Sequence, residues 1–358
     1  MEKVPTRKKE EPPVKFRTVV VVPVLEPFGF EYDRKYFKPS LDQALAELTT
    51  FSIQELHLQD YSPEDLRVII RKTPKEKESR KWANSRRWVS RHPCIELEWS
   101  VNLTIIKYDA TSSDGRPVPL AQRISLWKQV ACEEFASRVI SILVASHIAR
   151  PGLLRTRDVE IWIEKEFLKV TDGVSGFLGE IVEFAGEKSW PVIESLSIKL
   201  VWEWMCRFQQ LPDNLGQSEI ERALNAFSYL LAQKPFDGRE LVDLMWAMIG
   251  LEALYGRGTS DLTHQLVEKA GVLLGRSTGF EKSVKEMYRF RSLFVHGKMP
   301  FPGVFFTSDG TPAYESHTYD AGDASFLAAA VLVASLQQIA KRNWTSLSFS
   351  YIVDGGQG

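Results

Sequence analysis

Cysteine is scarce: the 358 residues hold three, at positions 94, 132 and 206. An odd, scattered set argues against a disulfide framework and fits a reducing cytosol. His92-Pro93-Cys94 is half of a zinc-type ligand set, but no second pair stands at matching spacing, so neither metal nor cofactor is expected. Long apolar runs are lacking too. The longest, Ala324 to Leu336, covers about thirteen residues against the roughly 20 that a bilayer requires, and it is read as a buried helix. The first residues are rich in Lys, Glu and Pro and lack the apolar core of a signal peptide, so a cytoplasmic protein with no membrane partner is expected. Charge of one sign is not in excess either. With 45 Lys and Arg against 46 Asp and Glu, the molecule as a whole is no cationic nucleic-acid binder.

The charge that is present is locally concentrated. Residues 71–91 carry nine Lys and Arg against two Glu, and 276–298 carry six against two. Local basic patches on a neutral chain are compatible with phosphate partners. In the first patch Arg86 and Arg87 lie among Trp82 and Trp88, a composition able to hold a phosphate backbone and stack bases. A solvated hairpin whose tryptophans fill the edge of a core explains the same residues.

At this length two domains are the natural expectation. Residues 1–15 read as disordered. β-Branched composition marks a strand from Phe16 to Val24, and Leu66–Ile70, Cys94–Lys107 and Val159–Val170 read as further strands. A short helix fits Leu41 to Leu48, and a long one fits Leu120 to Ala149, stopped by Pro151-Gly152. From about Ser189 amphipathic helices follow one another: Ile193–Leu211, Ser218–Gln233, Asp237–Tyr255, Ser260 or Asp261 to Gly275, Gly279–His296, and Asp323 to about Lys341. Short connections favour an antiparallel bundle. The expected fold is thus α+β, with a mixed, mainly β domain over 1–188, an all-α bundle over 189–345, and a tail over 346–358 that can add a strand.

Two charges break the apolar stripes of this bundle. Arg291 lies four residues after Met287 and three before Phe294, in the stripe Phe280, Val284, Met287, Phe294, Val295. Glu252 lies four after Met248, in the stripe Leu241, Leu244, Met245, Met248, Leu251. An inward charge is costly unless paired, so the two are expected to pair. His296 follows Arg291 by five residues, roughly 140° round a helix. A permanent cation and a group that exchanges protons near neutral pH suit phosphoryl chemistry. The spacing alone is common, since Arg87 with His92 and Arg257 with His264 show similar ones.

Order and context carry more. Leu251-Glu-Ala-Leu-Tyr255, a helix spanning Leu262 to Leu274, and then Tyr288-Arg-Phe-Arg-Ser-Leu-Phe-Val-His-Gly297 resemble the HEPN superfamily, most of all its Apea-like branch, over about residues 195–345. The resemblance implies a helical, dimeric domain and a metal-independent endoribonuclease of a toxin or phage-defence system. It places Arg291 and His296 as the catalytic pair, with Glu252, Tyr288 and Ser292 in support; Ser292 is smaller than the polar residue that often follows the arginine in active members. RNA, a second copy of the chain, and a cognate antitoxin or defence-system protein are the implied partners. Lys298, Arg289, Lys285 and Lys282 stand nearby to hold flanking phosphates, and His317, read as a loop residue, is a further contributor. The alternative is a non-catalytic dimeric module that binds RNA or protein.

Overall fold

The structure is a computed structural model that describes residues 14–23, 41–51, 62–71, 94–103, 116–154, 156, 158–164, 166–174, 178–208, 215–232, 239–258, 261–301 and 311–350. The chain is α+β and mostly helical. It forms two compact units that are discontinuous in sequence. The first takes residues 1–23, 49–139 and 158–171, and the second takes 24–48, 140–157 and 172–358. Sequence reasoning drew one continuous boundary near 188; the second unit also includes 24–48, 140–157 and 172–188.

The first unit is a sheet with a helix on it. Strands β1 (Val14–Pro23), β2 (Ser62–Arg71), β3 (Cys94–Leu103), β4 (Asp158–Ile163) and β5 (Glu166–Asp172) lie in the order β2-β3-β1-β4-β5. Its β1–β3, β1–β4 and β2–β3 pairs are antiparallel. Val159–Val170, expected as one strand, is a hairpin. Glu164 at φ 55° takes the left-handed turn conformation that a continuous strand cannot contain. Alternate residues of β1, namely Phe16, Thr18, Val20 and Val22, are buried. The first part of helix α2 (Leu120–Ala149) packs there: Phe135 meets Trp99 with ring centroids 5.3 Å apart, and the Cys132 thiol hydrogen-bonds Thr18. Burial pushes that thiol up to about 11, which makes it a poor nucleophile.

The second unit is the helical one. It holds α1 (41–48), α3 (Leu178–Lys188), α4 (Ile198–Met205), α5 (Glu219–Ala232), α6 (Arg239–Tyr255), α7 (Leu262–Leu274), α8 (Phe280–Val295) and α9 (Pro312–Lys341). α6 lies between α5 and α9. Gly250 lets it approach α9 closely, because a Cβ there would stand 2.8 Å from Leu332. Leu244, Met248, Leu251, Leu332 and Leu336 are fully buried at the centre. Polar staples hold the periphery. Gln337 on α9 donates to the carbonyls of Ile148 and Glu194, both at 2.8 Å. Arg150 donates to the Leu196 carbonyl and to Glu47 on α1, both at 3.1 Å. Glu47 in turn accepts the Ser197 hydroxyl and the Lys199 amide at the start of α4.

Several helix limits differ from those read in the sequence. The expected helix over 193–211 is limited to α4, because residues 191–197 run without helical bonds and Ser197 caps the first turn. α3 was not foreseen. Asp261 precedes α7 at φ 55° without a side-chain cap bond, and Ser260 and Asp237 lie outside the described residues. α9 starts at Pro312, capped by Thr311, about three turns before Asp323. Proline at the first helical position and a threonine cap are sufficient to start a helix that the polar residues 313–320 do not advertise. Residues 345–350 add no strand. The Tyr314–Lys341 segment is long and apolar enough to cross a bilayer, and 83% of its most apolar window is buried within the protein.

Candidate functional site

α8 carries the Arg–His pair, and its sequence accounts for how each residue is presented. Phe280, Val284 and Met287 are buried and fix which side of the helix faces inward. Arg291, one turn after Met287, therefore points the same way and is only 18% exposed. Glu252 on α6 meets it: the Arg291 Nη2 stands 3.2 Å from each carboxylate oxygen. The expected pairing of these two residues is thus present in the structure. Tyr288, one turn before Arg291, sets its ring 5.7 Å from the guanidinium and its hydroxyl within hydrogen-bonding reach of Glu252. Burial, followed by the Glu252 charge, raises the Tyr288 pKa, so the phenol stays protonated at neutral pH.

The pair is under-bonded. The Arg291 Nε and the Glu252 Oε1 are shielded from solvent and have no hydrogen-bond partner among the described residues. Only the Nη2–Oε2 contact meets hydrogen-bond geometry, and at 3.2 Å it is longer than the roughly 2.7–2.9 Å usual for charged partners.

His296 stands where the helix ends. It is the cap residue, at φ −89° and ψ 7°, and its side chain is exposed. Gly297 follows at φ 61°. Its amide donates to Phe294 at 3.0 Å, and the Lys298 amide donates to Leu293 at 2.8 Å. These two bonds form a Schellman end, which requires the left-handed conformation that glycine takes most cheaply. The Ser292 carbonyl accepts the His296 amide at 3.1 Å, so the histidine backbone is held from both sides.

The apolar stripe does not stay buried to the end of α8. Phe294 is half-buried and Val295 is 44% exposed, although the periodicity placed both inward. The first turns of α9 run beside this part of α8. Phe290 and His317 face each other at 6.0 Å, and Phe294 meets Phe301 edge-on at 5.2 Å. His317 is therefore a helical residue packed on Phe290, not a loop residue. Phe301 is 53% exposed, so with Val295 it leaves an apolar patch uncovered at the end of α8.

The basic side chains divide. Lys282 and Lys285 pair with Glu286 at 3.8 Å and Glu281 at 2.5 Å on their own helix, in weak, solvent-exposed contacts. Arg289 and Lys298 are exposed and form no ion pair with another described residue. Arg289 and Phe290 also line a cleft of about 530 Å³ between α3, α8 and α9, opposite Asp320 and Asp323. Arg86, Arg87, Trp82 and Trp88 lie outside the described residues. The rival pair Arg257 and His264 is exposed on both members and lacks any buried carboxylate partner among the described residues. Thr311-Pro312 is the sequence signal that places His317 on a helix; the exposure of Val295 and Phe301 has no sequence signal, since both are apolar in pattern.

No protein-family model, curated protein or solved structure matches the chain.

Proposed function

We propose that this protein is a metal-independent endoribonuclease of the HEPN type that acts as a homodimer. The observation that carries the reading is a guanidinium paired with a half-buried carboxylate, one and a half turns before an exposed, glycine-anchored histidine on the same helix. RNA supplies its own nucleophile, the 2′-OH, so the protein needs only to move protons and to stabilise charge. His296 takes the 2′-OH proton or delivers one to the 5′ leaving oxygen through its imidazole. The Arg291 guanidinium donates to the non-bridging oxygens as negative charge gathers on phosphorus. The products are a 2′,3′-cyclic phosphate and a 5′-OH. Lys298 and Arg289, exposed and without an ion pair among the described residues, hold flanking phosphates, with Lys282 and Lys285 after exchange of their helix partners.

The dimer serves two needs. Arg291 faces the bundle and His296 faces solvent, so one copy presents the two residues in different directions; two copies related by a two-fold axis place both in one cleft. The exposed Val295 and Phe301 would be covered there. A role in a toxin or phage-defence system, an antitoxin partner and a cytoplasmic location are part of the same proposal and rest on the resemblance.

The ion pair also favours a second reading, a non-catalytic dimeric module that binds RNA or protein, in which Arg291 is only the structural counter-ion of Glu252. Incubation of pure protein with labelled RNA in EDTA separates the two. The nuclease reading expects cleavage to cyclic-phosphate ends, reduced at least about 100-fold by His296→Ala and by Arg291→Ala. A folded, dimeric wild type that leaves diverse RNAs intact removes it in favour of the module.

A further inference from the structure

The contact between Arg291 and Glu252 is unusual in how little of either group it uses. A guanidinium has five N–H donors. Arg291 spends one nitrogen, Nη2, on the carboxylate, and its Nε is buried without a partner among the described residues. Glu252 leaves Oε1 equally unfilled. A fork-to-fork arrangement, with two parallel bonds, would satisfy both atoms. Tyr288 is within hydrogen-bonding reach of the same carboxylate and, with Oε1 unfilled, competes for the Oε2 that Arg291 Nη2 already uses. Buried polar atoms left unpaired are costly, so an arrangement that supplied the missing bonds would be favoured over the resting one.

We infer that Glu252 and Tyr288 form an anion-displaceable latch on Arg291: the carboxylate holds the guanidinium loosely in the resting protein and yields it to a phosphodiester, while the Tyr288 hydroxyl keeps Glu252 from closing into a two-bond pair. A phosphate group has the oxygen geometry to take two donors of the guanidinium at once. Glu252 then remains bonded to Tyr288, which offsets part of its lost partner. The latch sets a threshold, because an anion must outcompete a carboxylate already in place. This inference rests on the placement of Arg291 at a phosphate-binding site but does not require that the phosphate be cleaved.

Two substitutions have opposite expected effects, which a merely structural role for the cluster would not produce. Glu252→Gln removes the competing charge and keeps the shape and a hydrogen-bonding side chain. Tyr288→Phe keeps the ring beside the guanidinium and removes the hydroxyl, freeing Glu252 to grip Arg291 with both oxygens. The probe is a short, fluorescently labelled 2′-O-methyl oligoribonucleotide, which has the phosphodiesters but no free 2′-OH, so binding is read whether or not the protein is a nuclease. Fluorescence anisotropy is expected to give a Kd about tenfold lower for Glu252→Gln and several-fold higher for Tyr288→Phe than for the wild type. Arg291→Ala is expected to abolish the difference between variants at position 252. Thermal melting of each variant confirms that a folded protein is compared. Weaker or unchanged binding by a folded Glu252→Gln protein overturns the latch, as does tighter binding by Tyr288→Phe. Should the unmodified RNA stay uncut while the two shifts in Kd appear, the latch stands and the nuclease reading alone falls.

Discussion

Arg291 and Glu252 retain 18% and 24% of their side-chain exposure, so each depends on the other for most of its charge compensation. Removal of one partner strands the other, which is the expensive error in a protein interior. Arg291→Ala is accordingly expected to lower the unfolding free energy by about 2–3 kcal/mol, somewhat less than a fully buried pair would cost. The double variant Arg291→Met with Glu252→Met is expected to recover most of that loss, since neither charge remains to be desolvated. Urea denaturation of the three proteins checks this; a double variant no more stable than the single one excludes a compensating pair. The pairing itself was legible in the sequence, because two opposite charges each occupied an inward position of a helical stripe. Phe294 and Val295 were not legible. Periodicity states which side of a helix faces inward, but not how far along its axis a neighbouring helix continues to cover it.

Helix ends control where this bundle's elements begin and what they present. α5 opens with a reciprocal cap: the Ser218 hydroxyl accepts the Glu221 amide at 3.2 Å, and the Glu221 carboxylate accepts the Ser218 amide at 2.8 Å. The backbone bond from Ser218 is the main reason that the Glu221 pKa lies below its ordinary value. The sign follows from that direction. A folded-state pKa below the unfolded one means that the contribution is complete above the unfolded value, about 4.3, and is lost as pH falls through the folded value. Glu221→Ala is expected to cost about 1 kcal/mol at pH 7, and the gap from wild type is expected to narrow in denaturation series taken from pH 5 downward. A gap that is constant with pH would assign the loss to something other than the carboxylate. Such caps are local signals and can be read from sequence; the ends that were misjudged lacked them or hid them. α9 was placed to start at Asp323 because the apolar run begins at Ala324, whereas Thr311 and Pro312 start it across residues that touch little of the core. The hairpin at Glu164 carries no Gly or Pro, so its break in the strand depends on a backbone conformation that composition does not report.

At the scale of the whole molecule, the uncovered apolar patch is the feature with consequences. Val295 and Phe301 are both more than 40% exposed near the end of α8 that carries His296. Under the dimer proposal a Val295→Asp, Phe301→Asp variant is expected to elute with the light-scattering mass of a monomer, about half that of the wild type. It is expected to keep its melting temperature within a few degrees and to lose RNA cleavage at least about tenfold, since a single copy does not converge Arg291 and His296. A wild type that is monomeric and fully active sinks the shared-cleft model. The α+β division and most of the bundle could be read from patterning; the interleaving could not, because nothing in local composition tells which unit residues 24–48 or 140–157 will join. The chain passes between the two units at 23/24, 48/49, 139/140, 157/158 and 171/172. During synthesis this ordering delays completion. The ribosome releases Arg291 and His296 before α9, yet α9 carries Leu332, which packs against Gly250 on α6, and Gln337, which bonds the Ile148 carbonyl. A nascent chain that already displays the motif therefore still lacks the helix that seats α6, and with it Glu252, so premature termination yields Arg291 and His296 without the frame that holds Arg291 in place.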